Sequence, residues 1–164
     1  MTQKISLLQR LKNLFGASSA QSPSRPSSVQ TAPSSAPENQ TILTPNYLSD
    51  CQKGFVQCAS TSGLHKMAYL AWGDPSNPRV LMCVHGLTRR GSDFAELARA
   101  MSDRYYVVCP DVVGRGDSDY LANPMLYGVP QYVSDMVTLV AHLRPKQLDW
   151  FGTSMGGLIG MVYA

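Results

Sequence analysis

The sequence predicts an α/β fold built on a mostly parallel sheet, and three observations predict it. From residue 79 onward, apolar runs of strand length alternate with stretches of helical periodicity. The runs at 80–84 (VLMCV) and 105–109 (YYVVC) are continuously apolar, as strands covered on both faces are. Finally, Gly152-Thr153-Ser154-Met155-Gly156 follows a short strand and opens a helix. Strands that alternate with helices imply parallel pairing through right-handed crossovers.

The chain has 164 residues, of which 44% are hydrophobic and 15% charged, enough for one domain with a core. Three regions are expected. Residues 1–15 read as a short amphipathic basic helix, with Leu7, Leu8, Leu11, Leu14 and Phe15 at helical spacing among Lys4, Arg10 and Lys12. Residues 16–47 read as a disordered linker. Its Ser, Pro and Ala cannot bury enough surface to offset the entropy of ordering. Residues 48–164 hold the α/β domain. The basic, acid-free amino terminus is compatible with a targeting peptide, with a weak membrane or partner contact through residues 2–15, or with a frayed end of no role. A cytoplasmic location is the simpler expectation, with an organelle-targeted one as its alternative.

The net charge of +3 sits in the tail, because Lys4, Arg10, Lys12 and Arg25 outnumber Glu38 there. The remainder is neutral, so a nucleic-acid partner is not expected. No apolar run is long enough for a transmembrane segment. Cys51, Cys58, Cys83 and Cys109 show neither C-x-x-C nor zinc spacing. Cys83 and His85 share a strand face, but two ligands do not make a metal site. No metal and no cofactor are expected.

Taken in order, 54–59 and 65–72 read as strands joined by a turn at Ser62-Gly63. The composition of 73–78 is that of a loop, and 80–84 is the third strand. Ser92 is the expected N-cap of a helix whose stripe is Phe94, Leu97, Ala98 and Met101. The strand at 105–109 ends at Pro110. Pro130 suits the first turn of a second helix, with Tyr132, Val133, Met136, Leu139, Val140 and Leu143 facing the core and Pro145 ending it. A strand at 148–151 leads to a last helix from 155. That helix is apolar nearly all round and is expected to be buried.

Three loops fall at the carboxyl ends of the strands, where parallel sheets carry their sites. Ser154 lies in a G-x-S-x-G turn. Such a turn strains the serine backbone and needs small neighbours, here Gly152 and Gly156, because strand and helix meet closely. Ser154 is the candidate nucleophile, and a serine hydroxyl needs a general base. Acyl transfer also needs backbone donors for the oxyanion, and the N–H groups of Leu87 and Met155 are placed for it. His85 and Gly86 are expected to shape the loop. In the third loop, 111–118, Asp111 is expected to cap backbone N–H groups of a rigid turn; the G-R-G there lacks the lysine and spacing of a phosphate cradle. Arg89 and Arg90 follow the oxyanion loop, where they stand either as surface residues or to meet an anionic substrate.

V-H-G-L after the third strand, P-D-V-V-G-R-G-D-S after the fourth and G-T-S-M-G-G after the fifth resemble the α/β-hydrolase superfamily over residues 52–164. Within it they resemble the single-domain branch of esterases, lactonases, C–C bond hydrolases and cofactor-free haloperoxidases. The resemblance implies a serine hydrolase that acts by acyl transfer on a small-molecule carbonyl substrate such as an ester, lactone or thioester. It also implies an acid and then a histidine base after the nucleophile. His65, His85 and His142 all precede Ser154, and Asp111 and Asp117 belong to the loop motif. The chain is therefore expected to be the amino-terminal part of a longer hydrolase. By itself it is expected to be inactive and to expose its fifth strand as an apolar edge. The competing expectation is a non-catalytic scaffold or fragment; a perhydrolase or C–C hydrolase is a third reading.

Overall fold

The computed structural model of the protein describes residues 48–164. The expected helix at 1–15 and linker at 16–47 lie outside the described residues.

Five strands form one mixed sheet in the order β1-β2-β4-β3-β5. They are β1 (Gln52–Ser60), β2 (Gly63–Trp72), β3 (Arg79–Val84), β4 (Tyr106–Pro110) and β5 (Gln147–Gly152). The hairpin turn lies where Ser62-Gly63 places it, and Gly63 takes a positive φ of 124° that a side chain would resist. β1 pairs antiparallel with β2, and β2 antiparallel with β4. The expected parallel pairing holds across β4, β3 and β5.

Three helices cover the sheet: α1 (Ala95–Met101), α2 (Val129–Leu143) and α3 (Met155–Tyr163). The period of two along each buried strand divides the core into two layers. Val80, Met82 and Val84 point into one layer, with Tyr106 and Val108 beside them and Met136, Leu139 and Ile159 from α2 and α3. Leu81, Cys83, Val107 and Cys109 point into the other, against Phe94 and Ala98 of the α1 segment. α1 therefore lies on one face, and α2 and α3 lie on the other.

Two details differ from expectation. Ser92 does not cap α1. A 3-10 turn (Gly91–Phe94) precedes that helix, and neither turn nor helix has a side-chain cap. Asp93 instead pairs with Arg89 at 2.6 Å. Nor is α3 buried all round: Met155, Gly156 and Ile159 are buried, whereas Leu158, Met161 and Val162 are exposed. Apolar composition alone sets no face, and here one side of the helix packs while the other does not. β5 lies at the edge of the described sheet, with Phe151 exposed.

A buried pin joins α2 to the hairpin. His65 Nε2 sits 3.1 Å from both Asp135 carboxylate oxygens, and Gln131 Nε2 donates to Asp135 at 2.7 Å and to the Ala59 carbonyl at 3.0 Å. The core position on this helix sets a stability test. Leu139→Ala should lower the unfolding free energy by about 2–5 kcal/mol in urea denaturation. Val137→Ala, on the exposed side of the same helix, should change it by less than about 0.5 kcal/mol.

Candidate active site

The connection from β3 to β4 runs over one face of the sheet, and the later connections run over the other. The loops leaving β3 and β5 thus part in opposite directions, and a crevice opens between the carboxyl ends of those two strands. This is the switch point at which open α/β sheets bind ligands. Gly86 and Ser154 stand on its two sides.

Ser154 has φ 50° and ψ −114°, a backbone conformation that L-residues avoid. Its neighbours hold it there. Thr153 N–H donates to the Val84 carbonyl at 3.1 Å, which fastens the turn to the end of β3. A Cβ on Gly152 would collide with the Gly156 backbone, and one on Gly156 would collide with the Val84 carbonyl. Trp150 braces the helix behind the turn. Its Nε1–H donates to the Gly156 carbonyl at 3.1 Å, and its ring stacks on Tyr163 with centroids 5.4 Å apart. The Ser154 side chain is exposed.

The facing loop is set by His85, which is fully buried. Its Nδ1 lies 2.7 Å from the Gly86 carbonyl, and its Nε2 lies 3.0 Å from Val112 N. A carbonyl can only accept, so Nδ1 carries the proton and Nε2 accepts from Val112 N–H. The ring is therefore neutral, and burial accordingly holds its pKa below the ordinary 6.5 although the Gly86 carbonyl pulls the other way. The Gly86 carbonyl also accepts from Arg89 N–H at 3.1 Å, closing a tight turn. Because the 86–87 peptide is planar and trans, fixing its C=O aims the Leu87 N–H in the opposite direction. Among the described residues, neither the Leu87 nor the Met155 N–H has an acceptor. Gly86 brings the two sides together: a Cβ there would stand 3.6 Å from Ser154 Cβ.

The third loop is rigid, and Asp111 makes it so. Its Oδ1 accepts from Gly91 N–H at 2.7 Å and its Oδ2 from Asp117 N–H at 2.8 Å. Ser118 Oγ donates to the Asp111 carbonyl at 2.6 Å and accepts from Ala68 N–H at 2.8 Å. Arg115 ties this loop to the loop that carries His85 and Leu87. Its Nε donates to the Leu87 carbonyl at 3.1 Å, and its Nη1 donates to the Val113 carbonyl at 2.8 Å and Tyr132 Oη at 3.1 Å. Sequence reasoning missed that role. The available signal was the pair of glycines flanking Arg115, Gly114 and Gly116, both of which adopt positive φ.

Of the expected site residues, the structure gathers Ser154, Met155, Gly152, Gly156, His85, Gly86 and Leu87 around one crevice. The Met155 side chain is buried in the core, and that of Leu87 is exposed. His65 belongs to the pin on α2, and His142 is exposed on α2, tilted against the Tyr69 ring. Among the described residues, no histidine or carboxylate is bonded to Ser154.

A second gathering was not foreseen. Cys58, His65 and Asp135, all buried, could offer three ligand atoms within 4.8 Å of one another. Their chemistry fits the pin better than a metal centre. Burial, and then the Asp135 charge, push the Cys58 thiol up to about 12, so it stays protonated. Burial likewise raises Asp135, against the pull of His65 and Gln131. Among the described residues, no helix is long and apolar enough to cross a membrane.

Residues 79–164 match the model of the α/β hydrolase fold. The chain belongs to the α/β-hydrolase fold family. Among curated relatives of this family, it is 67% identical over 108 residues to the 3-hydroxybutyrate-oligomer hydrolase of Cupriavidus necator, covering 66% of this chain and 37% of that protein. Among solved structures, it resembles an α/β hydrolase from Novosphingobium aromaticivorans at 38% identity and a TM-score of 0.60, covering 69% of this chain and 39% of the other. It also resembles the thioesterase domain of the curacin biosynthetic pathway at 26% identity and a TM-score of 0.61, covering 68% and 40%. The chain thus spans well under half the length of each.

Two tests follow from this geometry. Gly156→Ala forces backbone against backbone and should cost about 1–3 kcal/mol, whereas Gly86→Ala, with room at ordinary contact distance, should cost less than about 1 kcal/mol in the same denaturation assay. The second concerns His85. With its pKa depressed in the folded state, the unfolded chain takes up a proton that the native chain refuses. Stability should therefore fall as pH drops below about 6.5 toward the lower native value. Melting curves across that range should show a shallower fall in His85→Gln than in the parent.

Proposed function

We propose that the full-length protein carrying this chain is a serine hydrolase that cleaves its substrate by acyl transfer through Ser154. The observation that carries the reading is the strained Ser154 turn set directly against Gly86, with the Leu87 and Met155 amides left without acceptors. Strain of this kind at an exposed serine, opposite two unsatisfied donors, suits attack on a carbonyl and capture of its oxyanion.

In the first half-reaction the Ser154 hydroxyl oxygen bonds to the substrate carbonyl carbon. The Leu87 and Met155 N–H groups bind the carbonyl oxygen as it gains charge. The bond to the leaving oxygen then breaks, and the serine proton passes through a general base to that oxygen. Water, deprotonated in turn, attacks the acyl-serine; the acid is released and the serine regains its proton. His85 is not that base, because both its nitrogens hold the loop. Among the described residues, no histidine or carboxylate is bonded to Ser154 as base or orienting acid.

The 67% identity to a relative named for 3-hydroxybutyrate oligomers favours esters of short hydroxy acids as substrates. Lactones and thioesters share the same chemistry at the carbonyl. No metal or cofactor enters these steps.

A fluorophosphonate probe applied to the full-length protein should label Ser154, and Ser154→Ala should lose both the label and about 10⁴-fold or more of kcat on a hydroxybutyrate ester. Labelling or turnover that survives the substitution would overturn the proposal.

A further inference from the structure

Beside the oxyanion loop lies a pocket of about 270 Å³ that the acyl-transfer steps do not use. It is lined by Thr88, Arg89, Arg90, Asp93, Arg115 and Gly116. Three arginines and one aspartate thus line it. Arg89 Nε donates to Asp93 at 2.6 Å, so that pair is neutral. Arg115 is fixed by two backbone carbonyls and a tyrosine hydroxyl, all uncharged, so none of these partners neutralises it. The Arg90 carbonyl accepts from Asp93 N–H at 3.2 Å, but its exposed side chain has no hydrogen-bond or ion-pair partner among the described residues. Asp111 lies close by, bonded to Gly91 N–H, but both its oxygens are engaged by backbone amides and it does not line the pocket.

The pocket adjoins the candidate nucleophile. A single point off Gly86 lies 3.6 Å from Ser154 Cβ and 3.8 Å from Arg89 Cγ. A substrate held at Ser154 therefore has a positively charged recess within a few bonds of its scissile carbonyl. Guanidinium groups suit that recess to a carboxylate, which they bind through paired, charge-assisted hydrogen bonds. In a dimer of a 3-hydroxy acid, the free carboxylate stands a few bonds from the ester carbonyl, on the leaving alcohol.

We propose that this pocket is the carboxylate subsite of the enzyme. Arg90 is the exposed partner of the anion and Arg115 the fixed charge beside it, which gives preference to short hydroxy-acid oligoesters with a free acid end over neutral esters. The inference rests on acyl transfer at Ser154. Since the carboxylate departs with the leaving alcohol, Arg90 acts on binding and acylation and has no part in hydrolysis of the acyl-serine.

The test compares two substrates on the full-length protein: the 3-hydroxybutyrate dimer with its free carboxylate, and the same dimer capped there as a primary amide. The expected result is a higher kcat/KM for the free acid. Arg90→Gln should reduce the free-acid to amide ratio of kcat/KM by about 10- to 100-fold, chiefly through KM. Added salt should weaken the parent's preference. A ratio unchanged in Arg90→Gln, with both dimers still cleaved in a Ser154-dependent way, would overturn the carboxylate subsite and leave the acyl-transfer reading standing. Cleavage of both dimers that persists in Ser154→Ala would overturn that reading, and the subsite with it.

Discussion

His85 bridges the two loops on which the crevice depends. One ring nitrogen holds the Gly86 carbonyl after β3, and the other holds the Val112 amide after β4. A single buried imidazole thereby fixes a peptide plane and the spacing of two strand ends. The bridge works only with a neutral ring of one tautomer, and burial supplies that condition by disfavouring the charged form. Arg115 adds a second tie between the same loops through the Leu87 carbonyl. The 86–87 turn is thus held from two sides, and the acyl transfer proposed above would need its donors fixed in this way.

The opposite wall depends on close backbone approach. Gly152 and Gly156 let β5 and α3 meet, and the Val84 carbonyl lies against Gly156 while it accepts from Thr153. Trp150 of β5 braces that helix, with its ring stacked on Tyr163 of α3. The strain at Ser154 is offset by this packing. β3 is common to both walls, since it pairs with β4 and β5, leads into the His85–Gly86 turn and anchors the Ser154 turn through the Val84 carbonyl. The pocket lined by Arg89, Arg90 and Arg115 includes none of the residues that form this second wall.

Much of this was legible in the residues, for definite reasons. Short continuous apolar runs rich in valine and bounded by loop residues suit strands covered on both sides, so β3 and β4 were legible. G-x-S-x-G after a strand and V-H-G-L after another each name a turn whose chemistry is local. Asp111 as a cap was legible because a carboxylate beside a glycine-rich turn has few other roles. The less legible features depend on distant partners. Ser92 looked like an N-cap, yet a 3-10 turn precedes the helix, and Asp93 is drawn to Arg89. The last helix looked buried, but composition cannot say which side of an apolar helix will find a neighbour. The His65–Asp135 pin and the reach of Arg115 join residues far apart in sequence, and no spacing rule announces such pairs.

The most direct measurement is mass spectrometry of the full-length protein quenched during turnover of a 3-hydroxybutyrate ester. One added acyl group is expected on the peptide that contains Ser154, absent from Ser154→Ala. An acyl group carried on any other residue, or undiminished turnover in Ser154→Ala, would contradict it.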